Sequence, residues 1–276
     1  MTDERNPECW LIDLDGVIWL GDDPIPGSAQ AIAALRASGR RVAFFTNNSF
    51  STRPQMMAKF ERHGISIEDQ DLLSSAQAAA ALVKRGTTAT VLGGQGINEA
   101  LELAGVEVVD LDLLGDQGVG AVFVGLDRHL TFDRLSSACR AISAGAAFIA
   151  TNDDATYPTP EGVLPGGGAF VAAVTYATRQ QAVVAGKPYP PAVALAKSVL
   201  GTVAVVVGDR PETDGALAQG LGARYAMVRS GVTPAGETVV PTPDYDAADL
   251  AEIVGTYLGL TRDQILAAID LHSTDG

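Results

Sequence analysis

Two cysteines and three histidines in 276 residues leave little material for a disulfide framework or a thiolate metal site. Cys9 and Cys139 lie far apart, each inside an apolar pattern, and read as small buried hydrophobes. His63, His129 and His272 have no neighbouring cysteine or carboxylate pattern and read as surface or structural residues. Basic residues are also scarce. Nineteen Lys and Arg against 33 Asp and Glu give a formal net charge of −14, which argues against nucleic acid or an anionic membrane as partner. The longest uncharged stretch, 162–178, contains Pro165 and a glycine triplet, so it reads as a loop entering a helix and not as a membrane span. The opening 1–8 is polar and acidic, without the basic and apolar regions of a secretory signal, and a cytoplasmic protein is expected. No G-x-x-x-x-G-K-[ST] occurs, which leaves an ATPase reading without its phosphate loop.

What the chain does have is a 47% apolar composition rich in Ala, Val, Leu and Gly, the texture of an ordered α/β protein. The stretch 9–16, Cys-Trp-Leu-Ile-Asp-Leu-Asp-Gly, runs from an apolar strand straight into two carboxylates and a glycine turn. In extended chain, residues i and i+2 share a side, so Asp13 and Asp15 face one ligand roughly 7 Å apart. A divalent cation such as Mg²⁺ would relieve their repulsion and bring phosphate with it. The same four residues are also an ordinary Asp-Gly turn. What separates the two readings is the rest of the chain.

A helix over 29–37 leads to an apolar strand over 42–45 that stops at Thr46-Asn47-Asn48-Ser49. Helices over 53–63 and 76–85 follow. From about residue 86 the texture changes to strands over 88–92, 106–109, 121–124 and 147–150 with interleaved helices. We expect a discontinuous core, residues 1–85 and 179–276, and an inserted α/β unit, residues 86–178. Gly93-Gly94-Gln95-Gly96 lacks full dinucleotide-binding spacing and reads as a tight turn. The turn-rich stretch 151–168 is long enough to carry function. Then the first texture returns, with a strand over 182–185 ending at Gly186-Lys187-Pro188 and a valine-rich strand over 203–207 ending at Gly208-Asp209. Asp214 opens a helix to 220, a further helix covers 247–258, and 261–276 reads as an appended helix and tail.

Open parallel sheets collect ligands beyond the carboxyl ends of their strands. Four apolar runs end there in Asp13/Asp15, Thr46/Asn47, Lys187 and Asp209, a set suited to phosphoryl transfer by positioning and charge neutralisation. These stretches resemble the four motifs of the haloacid dehalogenase superfamily of phosphatases: Asp13-Leu14-Asp15-Gly16-Val17, Thr46-Asn47-Asn48, Gly186-Lys187-Pro188, and Gly208-Asp209 through Asp214. The insertion resembles the large α/β cap of subfamily IIA. The resemblance covers nearly the whole chain and implies a Rossmann-like parallel-sheet core with an inserted α/β cap.

By that resemblance Asp13 is the nucleophile and Asp15 the acid and base. Mg²⁺ is held by Asp13, Asp209 and the carbonyl of Asp15, with Asp214 near the same ion or just behind it. Gly16, Thr46, Asn47, Asn48 and Lys187 bind the phosphoryl group, and Tyr157 contacts substrate. The implied activity is hydrolysis of a small phosphorylated metabolite through an aspartyl phosphate, with homodimerisation through the cap. A phosphotransferase of the same superfamily and a non-enzymatic phospho-acceptor switch are the alternatives. The chain departs from the family pattern at Gly215, where an aliphatic residue is usual, and at Pro211 inside the metal loop.

Overall fold

The computed structural model describes residues 8–115, 118–159 and 162–267. Cys9–Ile12 is the central strand of a six-stranded parallel sheet ordered Tyr245–Ala247, Arg224–Val228, Val203–Gly208, Cys9–Ile12, Arg41–Thr46, Leu72–Ser74. Ile12 lies opposite Val207 on one side and Phe44 on the other. A strand paired on both edges and covered on both faces has no wet side, so all four of its residues are apolar and buried. Alternation still decides which layer each side chain meets. Trp10, Ile12, Val42, Phe44, Val205 and Val207 pack toward the helices Ser28–Ala37, Arg53–Arg62 and Leu250–Leu258. Cys9, Leu11, Ala43, Phe45 and Val206 pack toward Pro190–Leu200 and Ala216–Leu221. From the centre the chain first builds outward through Arg41–Thr46 and Leu72–Ser74, and later in the opposite direction through Val203–Gly208. That reversal opens a crevice at the carboxyl edge.

A second parallel sheet, ordered Val183–Val184, Ala147–Ala150, Ala121–Val124, Thr88–Leu92, Glu107–Val108, carries helices on both faces. Val183–Val184 corrects the expectation that this apolar run belongs to the larger sheet: it pairs with Ile149 and Ala150 as an edge strand of the smaller one. A continuous apolar run identifies a buried strand but carries no record of which sheet will pair with it. The third expected helix is shorter than read, Ser75–Ala80, and its alanines pack against the smaller sheet.

The stretch 151–168 contains a hairpin, with Thr156–Thr159 antiparallel to Gly162–Pro165. The glycines read as a tight turn are a close approach between the two units. A Cβ on Gly94 would lie 2.5 Å from the Phe50 backbone, and one on Gly96 would lie 2.1 Å from Ser51 O. Side chains there would push the helix Gln95–Leu103 off the loop that follows Thr46. His129 is exposed, His63 is half-buried beside Trp19, and His272 lies outside the described residues. Among the described residues no helix is long and apolar enough to cross a membrane.

Phe44 is fully buried at the middle of the larger sheet, with its ring 4.7 Å from that of Phe60. Phe44→Ala is expected to destabilise the fold by about 3–5 kcal/mol, read as a lowered midpoint in urea unfolding. A loss under about 1 kcal/mol would place the core elsewhere.

Candidate active site

Asp13 directly follows the central strand, its own N–H bonded to Val207 O at 2.9 Å, so its side chain is delivered to the crevice by sheet hydrogen bonding. Lys187 meets it there. The ammonium lies 2.7 Å from Asp13 Oδ1 and 2.6 Å from Asp214 Oδ1, and the lysine is only 2% exposed. Burial alone would lower the lysine's pKa, but the two carboxylates more than offset that and hold it above its ordinary value, so it stays charged. The lysine arrives from the smaller sheet, three residues beyond its edge strand, whereas Asp13, Thr46 and Asp209 arrive from the larger one. Both sheets therefore build one site.

Asn47 fixes that junction. Its Oδ1 accepts from Lys187 N–H at 2.8 Å, and its Nδ2 donates to Lys187 O at 3.1 Å and to Asp154 Oδ2 at 3.1 Å. With its amide engaged on both ends, the group Asn47 leaves for a ligand is its backbone N–H. Asn152 and Ser75 both donate to Asn47 O at 2.8 Å. Thr46 Oγ1 accepts from Asn48 N–H, and Asn48 Oδ1 accepts from Phe50 N–H at 3.0 Å, so Asn48 shapes the turn with its side chain. Asp15 stands half-buried, two residues beyond Asp13, and accepts from Trp19 Nε1–H at 3.0 Å. Burial and the neighbouring Asp13 push its carboxyl up to about 6, against the pull of Lys59, Trp19 and Lys187.

Asp209 and Asp214 are 1% and 0% exposed. Asp209 Oδ2 accepts from Val232 N–H at 2.7 Å, while its Oδ1 is buried without a hydrogen-bond partner. Carboxylate oxygens of Asp13, Asp209 and Asp214 lie within 4.8 Å of one another. Burial first, then the nearby Asp13, raises the pKa of Asp209; burial also raises that of Asp214, with Asp13 adding to it against the pull of Lys187. Glycines press the acids together: a Cβ on Gly16, whose φ is +87°, would lie 2.5 Å from Asp209 Oδ2, and one on Gly208 would lie 2.1 Å from Asp214. Gly16 thus serves Asp209 by its lack of a side chain. Hard, anionic, crowded oxygens with an orphaned lone pair fit a divalent cation such as Mg²⁺.

The expected helix from Asp214 instead begins as a widened turn, Pro211–Gly215, before Ala216–Leu221. Arg210 O accepts from Asp214 N–H at 2.8 Å, and Arg210 N–H donates to Asp214 Oδ2 at 3.2 Å, so the turn closes on the aspartate. Such widened turns recur at functional sites. Gly215 is explained by packing, since a Cβ there would lie 2.7 Å from Pro241 Cγ.

These groups face a cavity of about 590 Å³ whose lining includes Asp13, Asp15, Thr46, Asn47, Asn48 and Lys187 from below and Tyr157, Arg128 and Asp154 from the smaller unit. Tyr157 OH accepts from Arg128 Nη2 at 3.0 Å, and Arg210 reaches across to Thr156 O at 3.2 Å. Trp19, Lys59, Asp154 and Arg210 also line this space and went unnoticed in the sequence. Asp154 carried a signal in its place in the turn-rich stretch, and Arg210 in its place inside the fourth motif, directly after Asp209.

A parallel sheet that gathers three acids and a lysine at its carboxyl edge, beneath a second parallel sheet, defines a capped α/β protein built for an anionic ligand. A family model described as haloacid dehalogenase-like hydrolase matches residues 10–107, and one described as HAD-hydrolase-like matches 184–253. An acid sugar phosphatase from Staphylococcus saprophyticus is 34% identical over 259 residues, covering 91% of this chain and 98% of that protein. A p-nitrophenyl phosphatase from Archaeoglobus fulgidus superposes with a TM-score of 0.82 at 29% identity, covering 91% of this chain and 99% of that one. A glycerol phosphate phosphatase from Mycobacterium tuberculosis in complex with magnesium superposes with a TM-score of 0.79 at 33% identity, covering 90% of this chain and 76% of that one. The chain belongs to the haloacid dehalogenase-like hydrolases, in the capped branch called subfamily IIA.

A carboxyl whose pKa is raised by folding contributes stability below its unfolded pKa and loses it as pH rises through the folded value. Asp209→Asn removes one such group, so in EDTA it is expected to stabilise the protein by about 1–2 kcal/mol at pH 8 and by less at pH 5. Thermal unfolding at the two pH values reads this. Destabilisation at pH 8 without metal would contradict the picture of acids crowded at electrostatic cost.

Proposed function

We propose that the protein is a Mg²⁺-dependent phosphatase that hydrolyses small phosphate monoesters through an aspartyl phosphate on Asp13. The observation that carries the reading is the convergence of Asp13, Lys187, Asp209 and Asp214 at the floor of a cavity that also holds Asp15. Asp13 attacks phosphorus. The Lys187 ammonium, the Thr46 hydroxyl and the Asn47 backbone N–H hold the phosphoryl oxygens against it. Asp15, with a pKa near 6, keeps a protonated population close to neutral pH. It gives its proton to the leaving oxygen and takes one from water in the second half of the cycle.

Asp13, Asp209, Asp214 and the Asp15 carbonyl are the groups that would hold Mg²⁺, which offsets the charge of acids and phosphate together. Similarity to acid sugar, p-nitrophenyl and glycerol phosphate phosphatases supports the substrate class. In this reading the unit built on the smaller sheet, from residue 86 through its edge strand Val183–Val184, is the cap, with Tyr157 in contact with substrate, and a phosphorylated metabolite of the cytoplasm is the partner.

Asp13→Asn is expected to lower turnover of 4-nitrophenyl phosphate by roughly a thousandfold or more with an unchanged circular dichroism spectrum. EDTA is expected to silence the wild type and Mg²⁺ to restore it. Steady release of inorganic phosphate separates a hydrolase from a phosphotransferase and from a one-time phospho-acceptor. Wild-type turnover by the variant would remove Asp13 from the chemistry.

A further inference from the structure

A general acid hands over one proton, but a carboxyl group has two oxygens that exchange roles unless something distinguishes them. At Asp15 that something is Trp19. The chain folds back tightly after Asp13: N–H groups of Ile18 and Trp19 reach Leu14 O at 2.8 and 3.3 Å, and Gly16 N–H reaches Trp19 O at 2.8 Å. This turn brings the indole against Asp15, and Nε1–H donates to Oδ1 at 3.0 Å. An indole nitrogen only donates, so it pairs with an oxygen that carries no proton. The ring is fully buried, edge-on to Phe60 at 5.1 Å and tilted against His63 at 5.6 Å, which holds it in place. Over its face lies Lys59 Nζ, 4.2 Å from the ring centroid and itself donating to Gly21 O. A cation on the π face draws electron density from the indole and strengthens its N–H as a donor.

We propose that Trp19, backed by Lys59, is the positioning residue of Asp15: it holds Oδ1 as an acceptor, so that Oδ2 carries the proton exchanged with the leaving group. This rests on the phosphatase reading of Asp15. In the first half-reaction Asp13 bonds to phosphorus as the bond from phosphorus to the alcohol oxygen breaks, and the Oδ2 proton passes to that oxygen. In the second, water oxygen bonds to phosphorus, its proton returns to Oδ2, and the bond from Asp13 to phosphorus breaks. Without the indole the proton is shared between both oxygens and the carboxyl group turns freely.

The test compares kcat/KM for an alkyl phosphate, glycerol phosphate, with that for 4-nitrophenyl phosphate, whose leaving group departs without a proton. Trp19→Phe is expected to lower the alkyl value at least about tenfold and the aryl value less than about threefold. Lys59→Met is expected to act in the same sense by about threefold, and it reads the proposal by itself if Trp19→Phe does not fold. In an Asp15→Asn background, Trp19→Phe is expected to add no further discrimination between the substrates. As a readout apart from activity, Asp15→Ala is expected to move one of the two tryptophan indole N–H resonances. Equal losses on both substrates, discrimination that persists in Asp15→Asn, or an indiscriminate Lys59→Met would overturn the proposal. A wild type inactive on both substrates would instead contradict the phosphatase reading.

Discussion

The bridge from Asp13 through the Lys187 ammonium to Asp214 is the interaction on which the rest of the site depends. Three acids at one sheet edge, two of them fully buried, repel each other in a medium that screens poorly. Replacing such a charge cluster with apolar residues commonly stabilises a protein, so the cluster is retained for what it binds. One lysine leaves the sum negative. A chain with a net charge of −14 attracts phosphate to this edge only if further positive charge is brought in, which gives the orphaned Asp209 oxygen its use.

The same bridge couples the two sheets. Lys187 hangs from the end of the smaller sheet, and Asn47 from the end of the larger one clasps its backbone on both sides. Asn152 and Asp154 reinforce Asn47 from the cap, and Ser49 meets Thr151 at 2.8 Å. The glycines at 94 and 96 let backbone approach backbone at the same loop. The cap is therefore part of the floor of the site as well as its roof, and a displacement of one sheet against the other would move the lysine relative to Asp13.

Much of this was legible in the sequence, for definite reasons. Asp13, Asp15 and Asp209 announce themselves because carboxylates directly after fully apolar runs have no place in a core. The alternation of strands and helices fixed the parallel architecture. Lys187 is marked by its place after an apolar run, but the run does not encode its pairing partner, and it joins the smaller sheet. Trp19 and Lys59 were invisible because the indole reaches Asp15 only through a compact turn of several backbone hydrogen bonds. Val232, whose N–H holds Asp209, sits in a loop with no pattern to mark it. Gly215 looked like a departure from the family until Pro241 was seen packed against it.

The most direct measurement of the central claim is chemical trapping of the covalent state. Borohydride reduces an acyl phosphate to an alcohol, so protein quenched with it during turnover of 4-nitrophenyl phosphate with Mg²⁺ should carry homoserine in place of Asp13, seen by peptide mass spectrometry. The conversion should vanish when EDTA replaces Mg²⁺ or when substrate is left out. Conversion at another acidic residue, or none under steady turnover, would contradict the account.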